Sequence, residues 1–131
     1  MNRDISGQVT MSSAAVLIAD DSLVIRAVVR AGFEVRVATD GNDALVRLAE
    51  APSDLVLTDL QMPNMGGYAL TKAIKADPTL THIPVLILSS SSTDEERQRG
   101  LDAGASGYLE KGGFDEASLL SAVSRLLGAN A

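Results

Sequence analysis

Residues 55–67, Leu-Val-Leu-Thr-Asp-Leu-Gln-Met-Pro-Asn-Met-Gly-Gly, decide the fold predicted for this chain. The apolar run at 55–58 is typical of a buried strand, and the Met-Pro and Gly-Gly pairs are typical of a loop that opens into a helix. Asp59 is therefore predicted at the carboxyl end of a buried strand, where open α/β sheets bind their ligands. This position favours a nucleophile or a metal ligand over a solvated surface carboxylate.

Strand-like and helix-like segments alternate five times along the chain, and this stretch lies in the middle of them. The predicted strands are residues 16–19, 33–38, 55–58, 85–89 and 107–109, and the predicted helices are residues 22–31, 42–51, 67–76, 94–103 and 116–127. Alternating strands and helices predict a parallel sheet covered by helices on both faces. The fourth strand is apolar, as in a central strand, whereas the second alternates apolar and charged residues, as an edge strand does.

Length and composition predict one domain. The chain has 131 residues, a net charge of −6 and no cysteine, so it has neither a disulfide framework nor a thiolate metal site. We expect a flexible N-terminal tail at 1–13, the domain at 14–128 and a short C-terminal tail at 129–131. The acidic balance argues against direct binding of nucleic acid, because phosphate binding needs a basic surface.

The chain also lacks the sequence features that address a protein to a membrane or to secretion. No apolar run approaches the roughly 20 residues that cross a bilayer, and residues 1–13 contain no apolar signal segment. We therefore expect a cytoplasmic protein with no membrane partner.

Polar side chains follow four of the predicted strands. Asp20 and Asp21 follow the first strand and Asp59 the third, while Ser89 ends the fourth and Lys111 follows the fifth. Three carboxylates in one crevice repel each other unless a cation neutralises them. Oxygen ligands without His or Cys favour Mg²⁺. A metal, a lysine and a hydroxyl around one carboxylate suit phosphoryl transfer in which Asp59 supplies the attacking oxygen.

Each of these residues also has an ordinary structural interpretation. Taken alone, the two neighbouring aspartates suit the N-cap of the next helix, Lys111 suits a solvated lysine, and Tyr108 suits a partly buried aromatic. Ser89 competes for its role with three further serines: Ser90, Ser91 and Ser92. Their shared position at the ends of successive strands favours the functional interpretation.

At these residues the chain resembles the CheY-like receiver domain of bacterial response regulators, over about residues 14–127. Residues 16–22 resemble the family's acidic pocket, residues 59–67 its phosphorylation loop, and residues 104–111 its last strand and lysine. The intervals that separate Asp59, Ser89, Tyr108 and Lys111 also match. The resemblance implies a flavodoxin-like, doubly wound sheet of five parallel strands in the order 2-1-3-4-5, with helices on both faces.

The resemblance implies a phosphorylation site for two-component signalling. Asp59 would accept a phosphoryl group from a phosphohistidine of a histidine kinase or phosphotransfer protein, and Lys111 would pair with the phosphoryl oxygens. Mg²⁺ would be held by Asp21, Asp59 and the backbone carbonyl of Gln61, with Asp20 helping through water. On this interpretation the chain is not an enzyme, except that it assists its own phosphorylation and dephosphorylation.

The resemblance also implies a switch. Ser89 would move to the phosphoryl group, and Tyr108 would turn inward into the space that it leaves. A protein target would then bind the face made by the fourth helix, fifth strand and fifth helix, where the charged fourth helix has few apolar anchors. We expect a monomer or a phosphorylation-dependent dimer.

Two departures from the family pattern stand out. Gly112 and Gly113 follow Lys111 where the family usually has proline, which predicts a less rigidly held lysine. This Lys-Gly-Gly stretch is similar to that of receivers attached to CheA-type hybrid kinases. The first helix is also short, so either it is truncated or residues next to Ala31 and Gly32 are missing.

Two rival functions remain open at this point. A phosphatase or mutase with an aspartyl-phosphate nucleophile commonly needs a second carboxylate two residues later, where this chain has Gln61. A receiver-like docking scaffold that works without phosphorylation would fit the glycines after Lys111 and the short first helix. The intact acidic pocket argues against the scaffold.

Overall fold

The computed structural model describes residues 14–90, 93–112 and 115–129. The predicted N-terminal tail, the serines at 91 and 92, Gly113, Phe114 and the last two residues lie outside these ranges. Five strands alternate with five helices. The strands are β1 Ala15–Ala19, β2 Glu34–Val37, β3 Leu55–Asp59, β4 Val85–Ser89 and β5 Gly107–Glu110. The helices are α1 Ser22–Arg30, α2 Gly41–Glu50, α3 Gly67–Ala76, α4 Asp94–Asp102 and α5 Glu116–Ala129.

The observed elements confirm the predicted ones, with small differences at their ends. β3 extends by one residue, so that Asp59 is its last residue rather than the first of the loop. α5 continues to Ala129, so it includes the first residue of the predicted C-terminal tail. Thr93 and Glu96 form the predicted capping box at the start of α4.

The sheet is parallel, and its strand order is β2-β1-β3-β4-β5, as predicted. β1, β3 and β4 carry long runs of buried residues, whereas β2 at the edge is half-buried and exposed along its length. Helices cover both faces. α1 and α5 pack on one face through a core that includes Val24 and Val123, and α2 and α3 pack on the other through a core that includes Leu48 and Leu70.

The crossover from β1 to β2 closes around a helix of nine residues. Ala31 still donates to the carbonyl of Ala27, and Gly32 turns the chain with a positive φ of 98° that favours glycine. Glu34 then joins the sheet by donating to the carbonyl of Ala14 at 3.0 Å. The short first helix is therefore long enough to connect these two strands.

The start of α3 is packed tightly against the end of β3. The Gly67 N–H donates to the carbonyl of Leu60 at 2.8 Å. A Cβ at Gly67 would lie 2.6 Å from the carbonyl oxygen of Asp59. Glycine therefore allows the β3–α3 loop to turn sharply and keeps Asp59 next to the loop residues that follow it.

Among the helices in the described ranges, none combines the length and the apolar character that a membrane span requires.

Candidate functional site

The carboxyl edge of the sheet brings three predicted carboxylates around the predicted lysine. Lys111 Nζ lies 2.8 Å from Asp20 Oδ1, 3.4 Å from Asp21 Oδ2 and 3.4 Å from Asp59 Oδ2. These residues come from the ends of β1, β3 and β5, which the parallel topology places at one edge. One ammonium group therefore partly neutralises three acidic groups.

The two neighbouring aspartates have different local roles. Asp21 is the N-cap of α1, where its Oδ1 accepts from the N–H groups of Leu23 and Val24. Its Oδ2 is left to face Lys111. The Asp20 side chain is fully buried, and its Oδ1 accepts from the Asp21 N–H at 2.6 Å as well as from Lys111. The capping interpretation is thus correct for Asp21 and compatible with a role in the site.

Lys111 makes contacts through both its backbone and its side chain. Its backbone N–H donates to the carbonyl of Ser89 at 2.6 Å, which continues the β4–β5 ladder by one residue. Its side chain is 15% exposed and reaches all three carboxylates. The described peptide bonds are all trans. The strand ladder and the carboxylates therefore orient this lysine.

Burial and the lysine charge act in opposite directions on the acidic groups. Burial raises the pKa of the Asp20 carboxyl, and the hydrogen bond from Lys111 offsets only part of that effect. Burial would also raise the pKa of Asp21, but the Val24 N–H and the Lys111 charge outweigh it and lower that pKa. Burial would lower the pKa of Lys111, but the hydrogen bond and charge of Asp20 raise it. Lys111 is therefore cationic at neutral pH.

Asp59 opens onto a groove beside the carboxylate cluster. Its side chain is 28% exposed, and its Oδ1 accepts weakly from the Gln61 N–H at 3.4 Å. The groove has a cavity volume of about 370 Å³. Its lining combines the site carboxylates with residues of two loops: Ala19, Asp20, Val37, Ala38, Thr39, Asp59, Gln61, Met62 and Pro63. A small reactant therefore has access to the Asp59 carboxylate.

The donor chemistry of this edge fits a hard divalent cation. Asp20 Oδ2 is buried and has no hydrogen-bond partner, and such an atom is costly unless a cation or water satisfies it. All the candidate ligands are oxygens, as Mg²⁺ prefers. Within residues 14–90, 93–112 and 115–129, no three acidic or histidine side chains are grouped closely enough to hold a metal. Lys111 Nζ lies among the carboxylates and supplies the positive charge there.

The two predicted switch residues are both buried. Ser89 ends β4 and is 4% exposed, while its rival Ser90 is exposed. Tyr108 is 7% exposed and lies against Gly100 of α4, where a Cβ would approach its ring to 2.9 Å. Arg97 donates to the Tyr108 carbonyl at 3.1 Å and lies 5.1 Å from the ring centroid. The Tyr108 ring thus faces the interior, against α4.

Comparison with known proteins decides the family. The family model of the response regulator receiver domain matches residues 16–124. This chain belongs to that family. The fold of the receiver domain is shared with the CheY4 chemotaxis protein of Vibrio cholerae, which is 34% identical with a TM-score of 0.78 over 87% of this chain and 98% of that one.

Other relatives place receiver domains of this type within larger proteins. The receiver domain of a signal transduction histidine kinase from Syntrophus aciditrophicus is 30% identical, with a TM-score of 0.81 over 89% of this chain and 92% of that one. A gliding motility regulatory protein of Myxococcus xanthus is 42% identical in an alignment 133 positions long, gaps included. The alignment covers 95% of this chain and 17% of the relative. The chain thus spans less than a fifth of that relative's length.

Two polar residues that connect the loops beside the site were not predicted from the sequence. Asn64, in the β3–α3 loop, donates from Nδ2 to Asp40 Oδ2 at 2.8 Å. Asp40 also caps α2, because its Oδ1 accepts from the Asp43 N–H. The Asp-Gly pair at 40–41 was a visible helix-start signal. Its contact with Asn64 depends on the tertiary fold.

The raised pKa of Asp20 predicts that this carboxylate destabilises the receiver domain at neutral pH. A carboxyl group whose folded pKa lies above its unfolded value favours folding when protonated, and that advantage is lost as the pH rises through the folded pKa. We expect Asp20→Asn to raise Tm at pH 7 without added metal. The gain should shrink as the pH is lowered towards 4, because the wild-type carboxyl is then protonated. A lower Tm at pH 7 would contradict this account.

Proposed function

We propose that Asp59 of this receiver domain accepts a phosphoryl group from a phosphohistidine on a histidine kinase or phosphotransfer protein. The observation that supports this proposal most directly is the position of Asp59. Its carboxylate is accessible from a groove and lies 3.4 Å from the ammonium of Lys111, in a cluster with two further aspartates. A nucleophile beside a fixed cation is the arrangement that phosphoryl transfer needs.

The transfer is a displacement at phosphorus. An Asp59 carboxylate oxygen forms the new O–P bond while the N–P bond to the donor imidazole breaks, and the imidazole keeps the electron pair and takes up a proton. The phosphoryl oxygens bring negative charge to an edge that already holds three carboxylates. Lys111 offsets this charge, because its side chain is held at that edge and largely shielded from solvent.

The same carboxylates are the proposed holders of Mg²⁺. Asp21, Asp59 and the Gln61 carbonyl would bind the ion, and the buried Asp20 would assist through its Oδ2, which has no partner. The ion would supply the positive charge that offsets the phosphoryl oxygens. Because Lys111 Nζ lies among these carboxylates, we propose that Lys111 turns from them towards the phosphoryl oxygens when a cation binds.

Signal output is proposed to follow from the buried pair at the ends of β4 and β5. Ser89 ends β4 at the same edge of the sheet, where its carbonyl accepts from the Lys111 N–H, and we propose that its hydroxyl moves to reach a phosphoryl group held by Lys111. A change at Ser89 would alter the packing of Tyr108 against Gly100 and Arg97 of α4. The α4-β5-α5 face would then bind a protein target, or a second copy, in a phosphorylation-dependent way.

The cytoplasmic location also stays a prediction.

The test is direct phosphorylation of the purified domain. Incubation with Mg²⁺ and acetyl phosphate, followed by intact mass spectrometry, should add one phosphoryl group per chain, and chelation of Mg²⁺ should prevent it. Absence of the added mass, with a phosphohistidine protein donor also failing, would reject the proposal and favour a phosphorylation-independent scaffold. Release of many phosphates per chain from phosphate esters would favour a phosphatase.

A further inference from the structure

Two loops that flank Asp59 are joined by contacts that the proposed chemistry does not use. The N-cap Asp40 and the first residue of α2, Gly41, lie on one side, and Asn64 and Met65 of the β3–α3 loop lie on the other. Asn64 Nδ2 donates to Asp40 Oδ2 at 2.8 Å, and the Gly41 N–H donates to the Met65 carbonyl at 2.9 Å. Two hydrogen bonds therefore connect segments that lie more than 20 residues apart.

Asp40 uses each of its oxygens for a different element. Oδ1 accepts from the Asp43 N–H at 2.8 Å and caps α2, while Oδ2 accepts from Asn64. The residue is 8% exposed. The hydrogen bonds from Asn64 and from Asp43 lower the pKa of Asp40, so it is ionised at neutral pH. The β3–α3 loop is thus bound to the fixed N-terminus of α2.

The backbone on both sides is adapted to this contact. Asn64 has a φ of 66°, a left-handed conformation that Asn and Asp tolerate better than most residues. A Cβ at Gly41 would lie 2.5 Å from Met65 Cγ and 2.7 Å from its carbonyl oxygen. The two loops approach closely because Asn64 adopts a left-handed backbone conformation and because Gly41 has no side chain to collide with Met65.

Asp40 and Asn64 directly follow, in sequence, the two segments that line the groove onto Asp59. Val37, Ala38 and Thr39 form one wall, and Gln61, Met62 and Pro63 form the other. The first part of the β3–α3 loop is held by Asp59 and by the Gly67 N–H on the Leu60 carbonyl. The Asp40–Asn64 contact holds the second part. Gln61 lies between these two attachments, so its backbone position depends on both.

We propose that Asp40 and Asn64 are a positioning pair that holds the Gln61 backbone in place and thereby sets the Mg²⁺ affinity of the site. The inference rests on the proposed function, in which the Gln61 carbonyl is a ligand. Groups that orient a metal ligand through hydrogen bonds typically change metal affinity by 10- to 100-fold when they are removed. Neither residue touches the ion in this scheme, so the effect passes through the loop.

An exchange of the two side chains tests the pair. In Asp40→Asn, one amide oxygen remains for two donors, so either the α2 cap or the contact with Asn64 is lost. In Asn64→Asp, two carboxylates face each other. In the double variant, the amide at position 40 can accept from Asp43 and donate to the carboxylate at position 64. Asn and Asp are comparable N-caps, and both tolerate the left-handed backbone.

We expect each single variant to bind Mg²⁺ about tenfold more weakly than wild type in calorimetric titrations with MgCl₂, and the double variant to recover wild-type affinity. Amide hydrogen exchange at Gly41 without metal should be faster in both single variants and slow again in the double variant. A purely long-range charge effect gives a different pattern. Asp40→Asn would then weaken binding, and Asn64→Asp, which adds a negative charge, would strengthen it.

The outcomes separate this inference from the proposed function. Single variants with wild-type Mg²⁺ affinity, or a double variant that regains thermal stability without regaining affinity, would overturn the positioning role. A wild type that takes no phosphoryl group from acetyl phosphate would reject the proposed function. Such a protein could still bind Mg²⁺, more weakly in both single variants and with wild-type affinity in the double variant. That result would support the positioning role of Asp40 and Asn64 even without phosphorylation.

Discussion

Asp59→Asn should abolish phosphorylation of the receiver domain by acetyl phosphate. The amide has nearly the same size and shape as the carboxylate, so the Gln61 N–H can still donate to its oxygen. However, the neutral amide lacks the anionic oxygen that attacks phosphorus. We expect no phosphoryl mass on the variant under conditions that label the wild type fully. Intact mass spectrometry with Mg²⁺ present makes the measurement.

Asp54→Asn is the matched control for this experiment. Asp54 lies just before β3, at the opposite end of the same strand, and its Oδ2 accepts from the Ala15 N–H at 2.8 Å. An amide oxygen can take over that hydrogen bond, and the site at the carboxyl edge is untouched. This variant should be labelled like wild type. Full labelling of Asp59→Asn, with the phosphoryl group mapped to Asp20 or Asp21, would show that a different carboxylate is the acceptor.

The fold was predictable because its signals are local. A buried run that ends in Asp59, followed by Met-Pro and Gly-Gly, predicts a strand, a loop and a helix without knowledge of any distant residue. The charged alternation of residues 33–37 likewise places β2 at the edge, and the structure confirms it. Only the ends differ, because the last hydrogen bonds of an element depend on its neighbours.

The carboxylate cluster was predictable for a different reason. Parallel strands expose their carboxyl ends at one edge, so residues after successive strands meet there whatever their separation in sequence. That Gly112 and Gly113 leave Lys111 less rigidly held stays a prediction, but the position of the lysine side chain is set by contacts distant in sequence. Contacts with Ser89 and with three carboxylates orient it, and these contacts exist only in the folded chain.

Two features of the site could not be predicted from local patterns. The Asp40–Asn64 contact joins two loops, and nothing in either loop alone indicates the other. The inward position of Tyr108 depends on the missing side chain of Gly100, because a Cβ there would approach the ring to 2.9 Å. A glycine inside a helix ordinarily weakens it, whereas in the structure Gly100 makes room for a buried aromatic ring.

Lys111→Met should have opposite effects on phosphorylation and on Mg²⁺ binding. Methionine is an unbranched, flexible side chain without charge, so it fills similar space. Loss of the cation beside Asp59 should slow phosphorylation by acetyl phosphate about 100-fold, as the removal of one charge-stabilising donor does in other sites. At the same time three carboxylates lose the ammonium at 2.8–3.4 Å, so they should bind Mg²⁺ more tightly than in the wild type.

Measuring both the phosphorylation rate and the Mg²⁺ affinity of Lys111→Met separates competition for the carboxylates from simple damage to the site. Lys72→Met is the control, because Lys72 is exposed on α3 and lines a different groove, between α3 and α4. It should leave both the phosphorylation rate and the Mg²⁺ affinity unchanged. A collapsed site in Lys111→Met would lower both quantities together, and hydrogen exchange in β4 and β5 would reveal the loosened edge. Slower phosphorylation with tighter Mg²⁺ binding, together with wild-type hydrogen exchange in β4 and β5, would show that Lys111 and the metal compete for the same three carboxylates.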